Sequence, residues 1–200
     1  MGRAGTGLAF GIPAEAPETM TDPAIAPLLT DRLRLDRPSW SVLPDYVRMN
    51  ADPRVMASLR GVRTAEETAA ILARLIEHWD RFGFGWYTAR DRRSARFAGR
   101  GGLRRVMIAD REEVELGYGL LPEYWGRGLA TELAGRCARL GFEVLGLREL
   151  VCITLPSNLA SRRVMEKVGF AFDREAEQDG RTHALYRLKT DDWRRSSGRS

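Results

Sequence analysis

The sequence predicts a mixed α/β domain, a central sheet with helices on both faces. Three observations carry that reading. Short apolar or alternating runs bounded by Gly, Pro and Asp recur through the middle of the chain, as strands do. Between them lie segments whose apolar residues return every three or four positions, as on one face of a helix. No repeat or linker divides the middle, so a chain of 200 residues, 44% hydrophobic and 30% charged, fits one globular domain with tails.

Residues 1–28 are rich in Gly, Pro and Ala without periodicity and read as a disordered N-terminal extension, with Met20 available as a second start. "TDRLRL" (30–35) alternates polar and apolar residues and reads as a half-buried first strand. Residues 41–59 read as one or two short helices interrupted by Pro53. Thr64, with Glu67 three positions later, is a capping box that opens a helix to about Phe82. "GWYTARD" (85–91) and "RFAGRGGLRRVMI" (96–108) are strands joined by a polar turn, and "EEVELGYGLL" (112–121) is the next strand. Leu129, Leu133, Cys137, Leu140 and Val144 recur at helical spacing and predict an amphipathic helix over 126–144. The almost wholly apolar "ELVCITL" (149–155) predicts a central strand. A helix from Asn158 to Val168, ended by Gly169, precedes two last strands near 171–178 and 183–189. These elements form a domain over 29–193, with 194–200 left as a basic tail.

No run approaches the roughly 18 apolar residues of a membrane-spanning helix, and the start lacks the apolar core of a signal peptide. A cytoplasmic protein with no membrane partner is expected. Cys137 and Cys152 lack metal-ligand spacing and there are 2 histidines, so no metal is expected; both thiols read as buried side chains. A net charge of +5 points to acidic partners: phosphates, an anionic cofactor or nucleic acid. No nucleic acid is expected, because stacking aromatics are not interleaved with the arginines.

One stretch, "GYGLLPEYWGRGLATE" (117–132), places Gly117, Gly119, Gly126 and Gly128 across a strand-to-helix junction. Glycine inside a regular element costs roughly 0.5–1 kcal/mol, so four in so short a span call for a reason. Alternation puts Glu115, Gly117 and Gly119 on one strand face, a carboxylate beside bare backbone. Pro122 ends the ladder, and Gly126-Arg127-Gly128 opens the helix, whose unpaired N–H groups suit a phosphate. A Walker loop would need Gly-Lys-Ser/Thr, and the dinucleotide fingerprint would need its first glycine after the strand; neither fits.

"VELGYGLLPEYWGRGLATEL" (114–133) resembles the acyl-CoA-binding motif of the GNAT superfamily of N-acetyltransferases. Within it, the likeness is to the Rim-type branch, which acetylates ribosomal-protein N-termini. "NLASRRVMEKVGF" (158–170) is similar to that branch's Asn-x-x-Ser-x-Arg helix followed by Gly-Phe. The resemblance runs from about Thr30 to Trp193. The superfamily's loop is usually Gln/Arg-x-x-Gly-x-Gly/Ala; here Trp125, usual in the Rim-type branch, takes the first place.

The resemblance implies a GNAT fold: a mixed, mostly antiparallel sheet of about seven strands, splayed between the fourth and fifth. It implies acetyl-CoA as cosubstrate, its pantetheine slotted beside Gly117–Gly119 and paired with the backbone of Leu120 and Leu121. The pyrophosphate would rest on Trp125, Gly126, Arg127, Gly128, Leu129 and Ala130, and Asn158 would hydrogen-bond the cofactor arm. Glu115 is the candidate base, acting through a water, and Ser161 the candidate donor to the departing thiolate. Direct attack by a primary amine in a ternary complex follows, the acceptor being a protein or peptide N-terminal α-amine. Rival readings are a small amine (aminoglycoside, polyamine or amino-acid derivative) and a non-catalytic acyl-CoA sensor; the protein is expected to be a monomer or homodimer.

Each residue also has a plainer reading. Glu115 doubles as a strand carboxylate paired with an arginine, and Asn158 as a helix N-cap. Related enzymes often carry a Tyr acid where Met165 stands here, which leaves Ser161 or water. Arg162 and Arg163 read as solvated helix charges or phosphate ligands. Cys137 lies on an apolar stripe, against a covalent route. His183 reads as an edge-strand surface residue or an acceptor contact, and His78 as packing.

Overall fold

Eight strands form one sheet among the residues the computed structural model describes, which are 27–59, 61–178 and 180–197. They are β1 (Leu28–Leu29), β2 (Leu33–Asp36), β3 (Trp86–Asp91), β4 (Phe97–Ile108), β5 (Arg111–Leu120), β6 (Glu149–Thr154), β7 (Ala171–Gln178) and β8 (Arg181–Lys189). Their spatial order is β1-β2-β3-β4-β5-β6-β8-β7, antiparallel throughout except for β5 beside β6. The helices are α1 (Leu43–Ala51), α2 (Pro53–Met56), α3 (Ala65–Phe82), α4 (Leu129–Arg139), α5 (Leu159–Val168) and α6 (Thr190–Ser197).

The eighth strand is β1. Leu28, expected at the end of the extension, is buried and pairs with Leu35; residues 1–26 of that extension lie outside the described residues. The expected basic tail is helical as far as Ser197, because Trp193 packs against Phe142 with ring centroids 5.7 Å apart.

Local chemistry accounts for most element ends. The Thr64 hydroxyl accepts from the Glu67 N–H while the Glu67 carboxylate accepts from the Thr64 N–H, closing the capping box of α3. Helix α4 starts three residues later than its apolar stripe suggests, since Gly126 and Gly128 sit in the left-handed region at φ 70° and 76°. It ends in a π turn over 140–144, where the Leu145 N–H donates to the Leu140 carbonyl at 3.0 Å. That wider turn rotates the stripe, so Val144 is 57% exposed while Phe142 is buried.

The hairpin β4–β5 is the axis of the fold. Its ladder runs from Gly99↔Leu120 to Ile108↔Arg111, and Ala109 and Asp110, both at positive φ, make the two-residue turn. This register puts Arg100, Gly102 and Arg104 on the same face as Gly119, Gly117 and Glu115, each directly opposite. Met49 of α1 covers that face at Gly119, and Leu133 of α4 packs on the other at Gly101, so helices flank both sides.

Candidate active site

β5 and β6 share a single register pair, Glu115↔Val151. Beyond it, the Leu116 carbonyl accepts the Cys152 thiol at 3.0 Å, and the Tyr118 hydroxyl reaches α5. The sheet is splayed along the segment that carries the strand glycines. Tyr118 donates to the Ser161 carbonyl at 3.0 Å and lies 3.1 Å from Ser161 Oγ. Burial pushes the phenol well above its ordinary value, so Tyr118 stays protonated and donates hydrogen bonds.

Past β5, the chain turns into α4 through Trp125 to Gly128. Positive φ at Gly126 and Gly128 turns the Arg127 carbonyl towards β2's loop, where Arg32 Nη1 donates to it at 2.7 Å. Arg32 also binds Glu132 through its backbone N–H at 2.8 Å and Nε at 2.6 Å, and Thr30 Oγ1 donates to the same carboxylate. Burial alone would raise the Glu132 carboxyl, but those hydrogen bonds and the Arg32 charge outweigh it and hold it below the usual range. The first-turn N–H groups at 129–131 have no carbonyl within the helix to bind. A Cβ built on Gly126 would meet nothing within 4 Å beyond its own chain neighbours. This is an open, amide-lined helix start, a position whose N–H groups and dipole favour an anion.

Leu120 and Leu121 are already engaged: Trp125 Nε1 donates to the Leu120 carbonyl at 2.7 Å, and the Leu121 N–H donates to Ala98 at 2.9 Å. Pairing with pantetheine would have to use second lone pairs or displace the Trp125 indole. Asn158 Oδ1 accepts from the Ser161 N–H at 3.1 Å, a true N-cap that leaves its amide nitrogen for other partners. Met165 is buried at the position that related enzymes give to tyrosine.

Glu115 is 5% exposed and ion-paired, with Arg104 Nε and Nη2 both 2.5 Å from Oε2. The strand face beside it is not bare. The Trp86 indole fills the space above Gly117, where a Cβ would lie 2.3 Å from it, and Met49 covers Gly119. These glycines make room for side chains as much as for a ligand. Arg100 and Arg104 both stack on Trp86, at 5.6 Å from its ring.

The remaining candidates resolve into packing and support. β8 lies between β6 and β7, so His183 is not on an edge: it is buried, and its Nδ1 lies 2.9 Å from the Arg181 carbonyl. His78 Nε2 accepts from the Arg105 N–H at 3.0 Å, which makes Nδ1 the donor to Phe84 at 2.9 Å. Burial pushes this imidazole down to about 4, so it is neutral. Cys137 is buried in α4, and burial pushes its thiol up to about 12, which removes it as a nucleophile at neutral pH. Arg162 donates to the Tyr186 hydroxyl at 2.8 Å and to Pro156.

Sequence reasoning missed Tyr118, Arg32 and the Arg100–Arg104 pair. A buried-face tyrosine beside strand glycines needs a hydroxyl partner, and arginines four apart on one strand face need counter-charges; both were readable signals.

The splayed sheet thus opens beside an amide-lined helix start. The model of the acetyltransferase (GNAT) domain matches residues 32–171, and the chain belongs to that family. It is 28% identical over 167 residues to the uncharacterized protein YkkB of Bacillus subtilis, covering 82% of this chain and 95% of that one. An acetyltransferase structure from Agrobacterium tumefaciens aligns with TM-score 0.74 and 27% identity, over 86% of this chain and 99% of the other. Two more distant structures share the fold alone. A spermidine N-acetyltransferase from Vibrio cholerae has TM-score 0.65 at 16% identity, over 80% and 97% of the chains. A ribosomal-protein-S5-alanine acetyltransferase from Vibrio fischeri has TM-score 0.67 at 19%, over 84% and 98%.

Proposed function

We propose that the protein is a cytoplasmic, Rim-like N-acetyltransferase that moves the acetyl group of acetyl-CoA to a primary α-amine by direct attack. The observation that carries this reading is the glycine-opened start of α4 at the mouth of the β5–β6 splay. The N–H groups of Leu129 and Ala130 hold the pyrophosphate there, with Gly126 and Gly128 letting it approach the backbone. Acetyl-CoA supplies the activated acyl carbon when bound. Glu115, through a water, takes the proton of the attacking amine. Ser161, oriented by Tyr118, supplies a hydroxyl to the departing thiolate.

The demand on the base supports an α-amine. Such an amine, with pKa about 7.7–8, is roughly a tenth neutral near pH 7, whereas a lysine amine is neutral below one part in a thousand. A base already engaged by Arg104 suits the easier acceptor. The Trp125 loop and the Asn158-x-x-Ser161-x-Arg163 helix support the Rim-like assignment. Thiol release from acetyl-CoA with a panel of peptide N-termini, amino acids and polyamines tests the proposal. No CoA-dependent turnover with any of them would sink it.

A further inference from the structure

We propose that the acceptor carries a carboxylate close to its amino group, and that Arg100 binds it. This rests on the transferase reading and names its substrate class: an amino acid, or a peptide with an acidic residue at its start.

Arg100 lies on β4, directly opposite Gly119 and two positions from the Gly102–Gly117 pair under Trp86. It is 7% exposed. Nη2 donates to Asn50 Oδ1 at 3.1 Å, and Asn50 is itself fixed by Thr68. Nε and Nη1 are buried and have no partner, and neither has Trp86 Nε1. All three orphans are donors, so the cluster lacks an acceptor.

Guanidinium stays protonated in proteins, and an unmatched buried charge is costly. Stacking on Tyr46 at 5.2 Å and on Trp86 offsets part of that cost without bonding either nitrogen. The nearby carboxylate on this face, Glu115, is taken by Arg104. The interior therefore holds an unneutralised cation on the sheet face that also carries the candidate base. A carboxylate satisfies that cation; a polyamine or aminoglycoside is repelled by it.

The test uses the whole protein and Arg100→Met. Each is titrated calorimetrically with N-acetyl amino acids of graded size, their C-terminal amides, C-terminally amidated N-acetyl tripeptides with or without Asp or Glu at positions one and two, and spermidine. At least one carboxylate ligand is expected to bind about tenfold or more tightly than its amide, and Arg100→Met to erase that difference. Preference among amino acids would identify the α-carboxylate as the anion; preference confined to acidic tripeptides would identify a side chain. Equal binding of acids and amides, a preference that survives Arg100→Met, or tighter binding of spermidine would overturn the proposal. Thermal unfolding separates a structural role: Arg100→Met should melt no lower than the parent, and a variant that fails to fold counts against an anion site. Carboxylate binding without CoA release with any amine would leave this site standing and remove the transferase reading instead.

Discussion

Glu115 and Arg104 face each other across the β4–β5 ladder, and the guanidinium closes on a single carboxylate oxygen, Oε2, at 2.5 Å. At the start of the splay Glu115 is buried while the Arg104 side chain is 22% exposed, so the two members have separable effects. Glu115→Gln should lower kcat/KM by about tenfold at pH 7, because an α-amine is already a tenth neutral there, and the loss should fade towards pH 9. A pH–rate profile checks it; a loss constant with pH would assign Glu115 to structure.

Arg104→Met removes the cation and keeps the carboxylate. Leaving the buried Glu115 carboxylate without this part-exposed partner costs about 1–3 kcal/mol, read as a lower urea midpoint at unchanged slope. The double variant with Glu115→Gln should recover much of that loss.

Gly128→Val forces a β-branched residue into the left-handed region at the proposed phosphate loop, with its Cβ 3.6 Å from Arg32 Nη2. The strain costs roughly 1–2 kcal/mol of stability. Losing one amide contact to phosphate should raise the acetyl-CoA Kd about tenfold or more, measured by calorimetry. An unchanged Kd would remove the phosphate role of the loop.

His78 makes stability depend on pH. Its folded value, about 4, lies below the ordinary 6.5, so the unfolded chain takes up the proton first on acidification. The stabilisation is complete above 6.5 and drains away as pH falls towards 4, by about 3 kcal/mol in all. The difference in urea stability between the parent and His78→Gln should shrink over that window. A difference constant from pH 7 to pH 4 would contradict the buried neutral imidazole.

Tyr118→Phe removes the hydroxyl that orients Ser161 and should lower kcat while leaving acetyl-CoA affinity within about twofold.

Features fixed by neighbours in the chain were legible in the sequence. The Thr64–Glu67 capping box, the Asn158 cap and the Gly169 terminus depend on residues three to eleven positions apart, and spacing shows them directly. The glycines at 126 and 128 announce a special backbone for the same reason. Features set by register or tertiary packing were not legible. A 3.6-residue period carries no sign of the π turn that exposes Val144, and Trp193 turns helical because it meets Phe142. The filling of the Gly117 space by Trp86 requires knowing that Gly102 pairs with Gly117, and the orphaned donors of Arg100 require knowing that Asn50 meets only one of its nitrogens.

The tie between Arg32 and Glu132 joins the first turn of α4 to the hairpin at the sheet's outer edge, 100 residues earlier. Edge hairpins are where a fold frays most readily. When β1 and β2 peel away, the Arg127 carbonyl and the Glu132 carboxylate lose their shared clamp together. The amides at 129–131 should therefore exchange with solvent in step with those of β2, as one cooperative unit. Ligand at that helix start should slow exchange at the sheet's distant margin as well.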